Sequence, residues 1–322
     1  MNAQCRICGN AHRNGLHVAR EMMFGYRDEF EYLECSRCGC LQIVEVPEDL
    51  DKYYPEEYIS FSRVTTRWSS KALRALRKRR TGYYLAGKKR RTNILSRLVG
   101  DVAFPVYFRA EGLGLDSRIL DVGCGSGRFL NFLGAQGFSN LTGIDPFNVS
   151  DIFYDNGVRI YKGELSDLDG IFDFILLYHS FEHMPDPLAA LKSLNEMLSA
   201  DGLVSLCVPL VSSFAWREFG TNWVQLDAPR HLFLHSLRSI EHLVEEAGFK
   251  IESIEYDSTE FQFWGSEQYV LDIPLTDPRS YSSNPERSVF SEQAIDSFRQ
   301  RAAELNAARQ GDQACVFLRK LG

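Results

Sequence analysis

Residues 117–127 read Ser-Arg-Ile-Leu-Asp-Val-Gly-Cys-Gly-Ser-Gly. A short apolar run stops on three glycines at alternate positions, Gly123, Gly125 and Gly127. The run predicts a buried strand, and RFLNFLGAQG (128–137) predicts a helix closed by Gly137. Glycines at such a junction let the backbone approach a ligand and leave free amides at the helix start. The spacing is not G-x-G-x-x-G, which weakens a nicotinamide reading. Asp145 ends the next strand, 22 positions after Gly123, where a carboxylate can accept two ribose hydroxyls.

Outward from this loop the pattern alternates. LTGID, VRIYKG, FDFILLYHS, GLVSLCVP and KIESIEYDS predict further strands. FNVSDIFYDNG reads as helix-like. PDPLAALKSLNEMLSADG predicts a helix with Pro187 in its first turn and Gly202 at its end, and HSLRSIEHLVEEAGF one capped by Ser236. A last helix starts at Ser291, and QACVFLRK predicts a final strand at an antiparallel edge. The expected fold is therefore α/β, a doubly wound, seven-stranded, mainly parallel sheet with helices on both faces.

The 322 residues are 44% hydrophobic and 25% charged, ordinary globular usage, with net charge −7. No apolar run reaches the roughly 20 residues of a membrane helix. The first residues, MNAQCRICGN, carry no secretory apolar segment, so the expected location is cytoplasmic. No acidic residue lies between Glu57 and Asp101, an interval holding thirteen cations from Arg63 to Arg97; without them the remainder would carry −20. Trp68, Leu73 and Leu76 sit near helical spacing, so at least one cationic helix is expected there. Such a stretch fits a solvated helix face, or contact with an anionic membrane surface or a lipid-linked sugar phosphate.

Cys5-x2-Cys8 and Cys35-x2-Cys38 form two knuckles that together satisfy a tetrahedral zinc ion without strain. With all four ligands from protein, such a zinc is structural. Cys40 is an extra thiol and His12 a rival ligand. The expected organisation is a zinc ribbon over 1–45, a linker and basic helical region over 46–115, and a catalytic domain over 116–322 with an insertion at 258–311.

DVGCGSG, GIDP, KGEL and FDFILLYHSFEHMPDP, in that order over residues 116–257, resemble the class I S-adenosylmethionine-dependent methyltransferases. The resemblance implies a Rossmann-like domain whose glycine loop holds the methionine end of the cofactor through Asp121, Gly123, Cys124, Gly125 and Gly127. It puts the ribose on Asp145, beside Pro146, and the adenine near Glu164 and Leu165. Tyr178 and His179 then line the methyl-transfer site. CRICGN, YLECSRCGCLQI, YYPEEY and APRHLFLHS look like a bacterial subgroup with an N-terminal zinc ribbon. Members of that subgroup often accompany polysaccharide, sugar-nucleotide or secondary-metabolite biosynthesis.

The function expected is methyl transfer from S-adenosylmethionine to a small metabolite, sugar-linked or phosphate-bearing. Methylation of oxygen often uses a base, and histidine is the natural one near neutral pH. His183 and His231 are the candidates, with Glu182 beside them. Against them stands a structural role for the Glu182–His183 pair, and a metal site there is the weaker alternative. Arg230 suits an anionic group of the acceptor or a nearby carboxylate. Trp216, Phe219, Trp223, Phe261, Phe263 and Trp264 suit either stacking on a sugar or core packing. The long insertion is expected to help cover the acceptor. The alternative function is an RNA-modifying methyltransferase or a nucleic-acid-binding protein that uses the ribbon and the basic stretch. The acidity of the remaining chain makes nucleic acid the poorer partner.

Overall fold

The protein is described by a computed structural model over residues 4–55 and 71–321. Arg63, Arg67 and Trp68 of the basic stretch lie outside the described residues. The cysteine-rich head forms β1 (Gly15–Arg20), β2 (Glu29–Glu34) and β3 (Leu41–Ile43), paired antiparallel in succession. Two helices follow, α1 (Lys71–Leu85) and α2 (Lys89–Val99), packed on one another. Arg80 is buried between them and donates to the carbonyls of Val99 and Asp101, satisfying the end of α2.

The glycine-loop unit comes next: β4 (Arg118–Val122) and α3 (Arg128–Gln136), the helix ending on Gly137 as expected. Then follow β5 (Asn140–Ile144), β6 (Ile152–Phe153), β7 (Arg159–Tyr161), β8 (Phe172–Tyr178), α4 (Pro187–Met197) and β9 (Leu198–Pro209). The remainder is α5 (Phe214–Phe219), β10 (Phe233–Leu234), α6 (Leu237–Glu246), β11 (Phe249–Tyr256), α7 (Phe261–Val270), α8 (Glu292–Ala307) and β12 (Gln313–Lys320). Pro187 opens α4, while the side chains of Ser236 and Ser291 cap α6 and α8.

The main sheet runs β11-β12-β9-β8-β4-β5-β7-β6, with β9, β8, β4, β5 and β7 mutually parallel. Alternate residues of β4 and β8 feed two cores. Leu120, Val122, Ile175 and Leu177 face one side, and Ile119, Phe174 and Leu176 the other. All seven expected strands are present, and β6 adds a short eighth.

Three expectations are corrected. Residues 147–157 form no helix: the Phe147 amide turns back onto Asp145, and residues 152–153 pair with β7. Helix α4 stops at Met197 rather than Gly202, because Leu198 already pairs with Phe172 of β8. Strand β12 is not an edge; it lies between β9 and β11, antiparallel to both, which explains why its centre is buried on both faces.

The head is sewn into the body. Its sheet runs β1-β2-β3-β10, so its fourth strand comes from residues 233–234. The Tyr32 hydroxyl donates to the His231 carbonyl at 2.9 Å, and the Ser236 hydroxyl donates to the Cys38 carbonyl. Cys5, Tyr32, Leu33 and Leu41 belong to the same apolar core as Leu120 and Ile175.

Candidate active site

The chain crosses from β4 into α3 through the glycine loop. A Cβ on Gly123 would meet the Ser180 Cβ at 2.4 Å, and one on Gly127 the Ile160 Cδ1 at 2.3 Å, both at positive φ. The loop therefore admits no side chain at these two positions. Asp145 braces it from behind: its Oδ2 accepts the Gly125 amide at 2.8 Å and its Oδ1 the Phe147 amide at 2.9 Å. Burial raises the Asp145 pKa, and these two amides oppose the rise.

In front of the loop lies a cavity of about 700 Å³. Asp121, Gly123, Cys124, Gly125 and Tyr178 line it, as the cofactor expectation requires. Asp121 is 4% exposed and has no hydrogen-bond donor among the described residues. Burial, and then the charge of Asp145, push its pKa up to about 7. A buried carboxylate without a hydrogen-bond partner among the described residues, facing a cavity beside a loop stripped of side chains, fits the cationic methionine end of S-adenosylmethionine. Asp145, Glu164 and His179 do not line this cavity. Glu164 is exposed and caps a short turn, while Leu165 and Pro146 are half-buried.

Sequence reasoning missed the far wall. Ala103, Phe104, Pro105 and Tyr107 close the cavity against Phe129 and Phe132 of α3. The Tyr107 ring lies 4.4 Å from that of Tyr178. The run FPVYF (104–108) in an otherwise irregular stretch is the signal that was available.

Beyond Tyr178 the end of β8 gathers four polar side chains. His179 adopts φ 50°, an uncommon conformation for a side-chain-bearing residue, and its amide bonds the Cys207 carbonyl at 3.0 Å. Its Nδ1 lies 3.3 Å from Glu182 Oε1, and the ring stays 27% exposed. Glu182 is fully buried, and its Oε2 has no hydrogen-bond partner among the described residues. Burial opposes its charge, yet the His179 bond and the neighbouring histidines pull its pKa down to about 2. Burial likewise opposes charge on His179, but Glu182, then Asp257 and Asp312, raise its pKa overall.

His231 lies at 3.8 Å from the same Glu182 oxygen, and its Nδ1 is spent on the Gln225 carbonyl at 2.8 Å. Burial and the adjacent His183 pull its pKa down to about 4, so the ring is neutral at pH 7. His183 Nδ1 bonds the Arg230 carbonyl at 2.8 Å and lies 3.3 Å from the Tyr54 hydroxyl. Tyr54 also stacks on Phe147, ring centroids 4.9 Å apart, so part of the YYPEEY motif reaches the rim of the sheet.

Two sets of side chains whose roles the sequence left open are structural. Arg230 is fully buried and donates to Glu21 at 3.0 Å, to both oxygens of Asp227 at 2.6 and 2.9 Å, and to the Tyr53 carbonyl. It ties the head to the body and has no free donor face for a ligand. Trp223, Phe263 and Trp264 are buried, and the Trp223 indole donates to Asp312 at 3.0 Å, so these aromatics pack the joint between insertion and body.

In the head, Cys5, Cys8, Cys35 and Cys38 place their sulfurs within 4.8 Å of one another. Cys5–Cys38 and Cys8–Cys35 are separated by 3.7 and 3.5 Å. A tetrahedron with bonds of about 2.3 Å has sulfur–sulfur edges near 3.8 Å, which the cluster matches. Cys40 is buried outside the set, and His12 is exposed and outside it too.

The fold and the loop define a class I S-adenosylmethionine-dependent methyltransferase domain. A family model described as a methyltransferase domain matches residues 67–254, more than half of the sequence, and the chain belongs to that family. The chain is 30% identical over 116 residues to a ubiquinone biosynthesis O-methyltransferase of Haemophilus ducreyi, covering 31% of this chain and 49% of that protein. It is 28% identical over 135 residues to the enzyme of the same name from Pectobacterium atrosepticum, covering 38% and 55%. It thus spans about half the length of these curated relatives. Among solved structures, the cyclopropane synthase MmaA2 from Mycobacterium tuberculosis aligns with 16% identity and TM-score 0.41 over 65% of this chain and 80% of that one. A methyltransferase from Archaeoglobus fulgidus aligns with 20% identity and TM-score 0.39 over 74% and 99%.

Proposed function

We propose that this protein transfers a methyl group from S-adenosylmethionine to a hydroxyl of a small polar metabolite, sugar-linked or phosphate-bearing. The observation that carries the reading is the juxtaposition at the end of β8. The cavity, with an Asp121 that has no hydrogen-bond partner among the described residues, ends at Tyr178, and the polar group His179, Glu182, Asp257 and Asp312 begins at the next residue. Apolar walls hold the cofactor, and the half-buried His179, backed by the buried Glu182, stands next to them. Bound there, S-adenosylmethionine supplies a methyl on a sulfonium, an electrophile that needs little beyond positioning.

The chain's own residues then have separate tasks. Asp121 orients the methionine end, and the side-chain-free glycines let the backbone lie close against it. The general base is His179, oriented by Glu182, in place of His231. His231 is buried, and its ring ties Gln225 to the Glu182 site. His183 holds the Arg230 carbonyl and so fixes the loop that carries His231. A carboxylate at Nδ1 of His179 holds the tautomer whose other nitrogen accepts a proton, and it stabilises the ring once charged.

The four head cysteines bind one structural zinc in this reading, supported by the sulfur spacing. The test of function is a panel of nucleotide sugars incubated with methyl-labelled cofactor and read by mass spectrometry. Labelled product from a member of the panel is expected. Inert sugars with robust methylation of RNA would overturn the proposal.

A further inference from the structure

We propose that the outward face of α2 is a docking surface for an anionic lipid bilayer. The helix has two dissimilar sides. Thr92 is buried, and Leu95 and Val99 are half-buried toward the body. On the other side Arg90, Arg91, Ile94, Arg97 and Leu98 are all exposed, Ile94 by 54% and Leu98 by 67%. At about 100° per residue these five fall within roughly one third of the helix circumference. Two aliphatic side chains one turn apart are thus framed by three guanidiniums.

An ordinary solvent-facing helix mixes acids with its bases, and this one has none. No carboxylate lies anywhere from Tyr58 to Gly100 to offset the arginines from within the segment. Ile94 and Leu98 match the shallow apolar layer beneath lipid headgroups, and arginines at their flanks reach back to the phosphates. Charge complementarity therefore selects an anionic bilayer. A nucleic acid would be served by the arginines alone, because the middle of the face is aliphatic and offers nothing for a base to stack on. A symmetric contact with a second copy would set the three arginines against their own equivalents.

From α2 the chain leads directly to the cofactor cavity. Beyond Gly100 the chain enters the cavity wall at Ala103, where Phe104 packs on Tyr84 with ring centroids 5.7 Å apart. Tyr84 and Val106 are exposed as well. A docked α2 brings that wall close to the membrane surface.

The test is sedimentation of the full chain with vesicles of phosphatidylcholine alone and of phosphatidylcholine with phosphatidylglycerol. Binding to the mixed vesicles only is expected. The double variant Ile94→Ser/Leu98→Ser should lower the partition coefficient roughly tenfold or more, and Arg90→Ser/Arg91→Ser/Arg97→Ser at least as much. All five side chains are exposed, Arg91 lying in addition over the Tyr83 ring at 5.4 Å, and none is buried in the core, so circular dichroism and cofactor binding should match wild type in both variants. Three results would overturn the proposal. The first is no preference for the anionic vesicles. The second is binding unaffected by Ile94→Ser/Leu98→Ser while a short RNA competes it away, which identifies a simple polycation. The third is a wild-type dimer that the same double variant dissociates, which makes the face a contact between copies.

Discussion

Asp121→Asn separates what the loop needs to bind its cofactor from what the fold tolerates without it. An aspartate ordinarily titrates near 4, whereas Asp121 is held at about 7 by burial and the Asp145 charge. That gap is worth about 4 kcal/mol against the unliganded fold once the carboxyl is fully ionised. The sign follows from proton counts. Between pH 4 and 7 the folded protein keeps a proton that the unfolded chain has released, so stability falls as pH rises and levels off above 7. Asparagine has nearly the same shape and no charge, but its amide likewise finds no partner among the described residues, at a cost of about 1–3 kcal/mol. The net expectation at pH 8 is that Asp121→Asn stabilises the unliganded protein by about 1–3 kcal/mol, a gain that shrinks as pH falls toward 4. Urea unfolding at a series of pH values measures it. The same variant loses the charge-assisted bond to the methionine ammonium, about 1.5–3 kcal/mol or 10- to 150-fold in affinity, read by calorimetry. In wild type, binding at pH 6 should release a proton, visible as a dependence of the heat on buffer. A variant that is less stable at pH 8, or one that binds the cofactor as tightly as wild type, refutes the argument.

Elemental analysis should find one zinc per chain. Its loss in a Cys5→Ser/Cys35→Ser variant should also loosen residues 231–236, which bond directly to Tyr32 and Cys38; full occupancy in that variant would refute the ligand set. Arg230→Met leaves Glu21 and Asp227 charged and uncompensated in the interior, and should destabilise the fold by roughly 3–5 kcal/mol in urea unfolding. With the acceptor identified by the labelled-methyl screen, His179→Gln should slow single-turnover methylation roughly 10²–10⁴-fold without weakening cofactor binding. Because Glu182 raises the His179 pKa, Glu182→Gln should move the acidic limb of the rate profile to lower pH; an unmoved limb would place the base elsewhere.

The parallel strands, the caps at Ser236 and Ser291 and the glycine loop were legible because each is a local pattern: an apolar run, a hydroxyl before a helix, a turn that excludes Cβ. The cysteine pairs were legible for the same reason. The helix expected over 147–157 failed because apolar residues there fit two periods, and the Asp145–Phe147 turn with β6 pairing decided between them. The interior place of β12 was written in its unbroken run Ala314–Leu318, which alternates too little for an edge. The role of Arg230 was not legible, since its partner Glu21 lies 209 residues away and nothing local distinguishes an arginine for a ligand from one for a buried acid. Nor was the proposed choice of His179 among the histidines, which rests on which ring nitrogens the backbone of 225–230 consumes.

The pairing of β3 with β10 also sets a schedule for synthesis. Ile43 ends β3, and Phe233 opens the strand that covers its edge, 190 residues later. At about 5–20 residues per second, a ribosome needs roughly 10–40 s to deliver that partner. Through that interval the head has an open sheet edge and its cysteines are already outside the exit tunnel. An early-bound metal would hold the two knuckles together while the edge waits, and a zinc-starved cell would leave both the thiols and the edge exposed to neighbouring chains. With zinc on the four cysteines, as proposed, output of folded enzyme would follow zinc supply during translation, even where the finished protein no longer exchanged the ion.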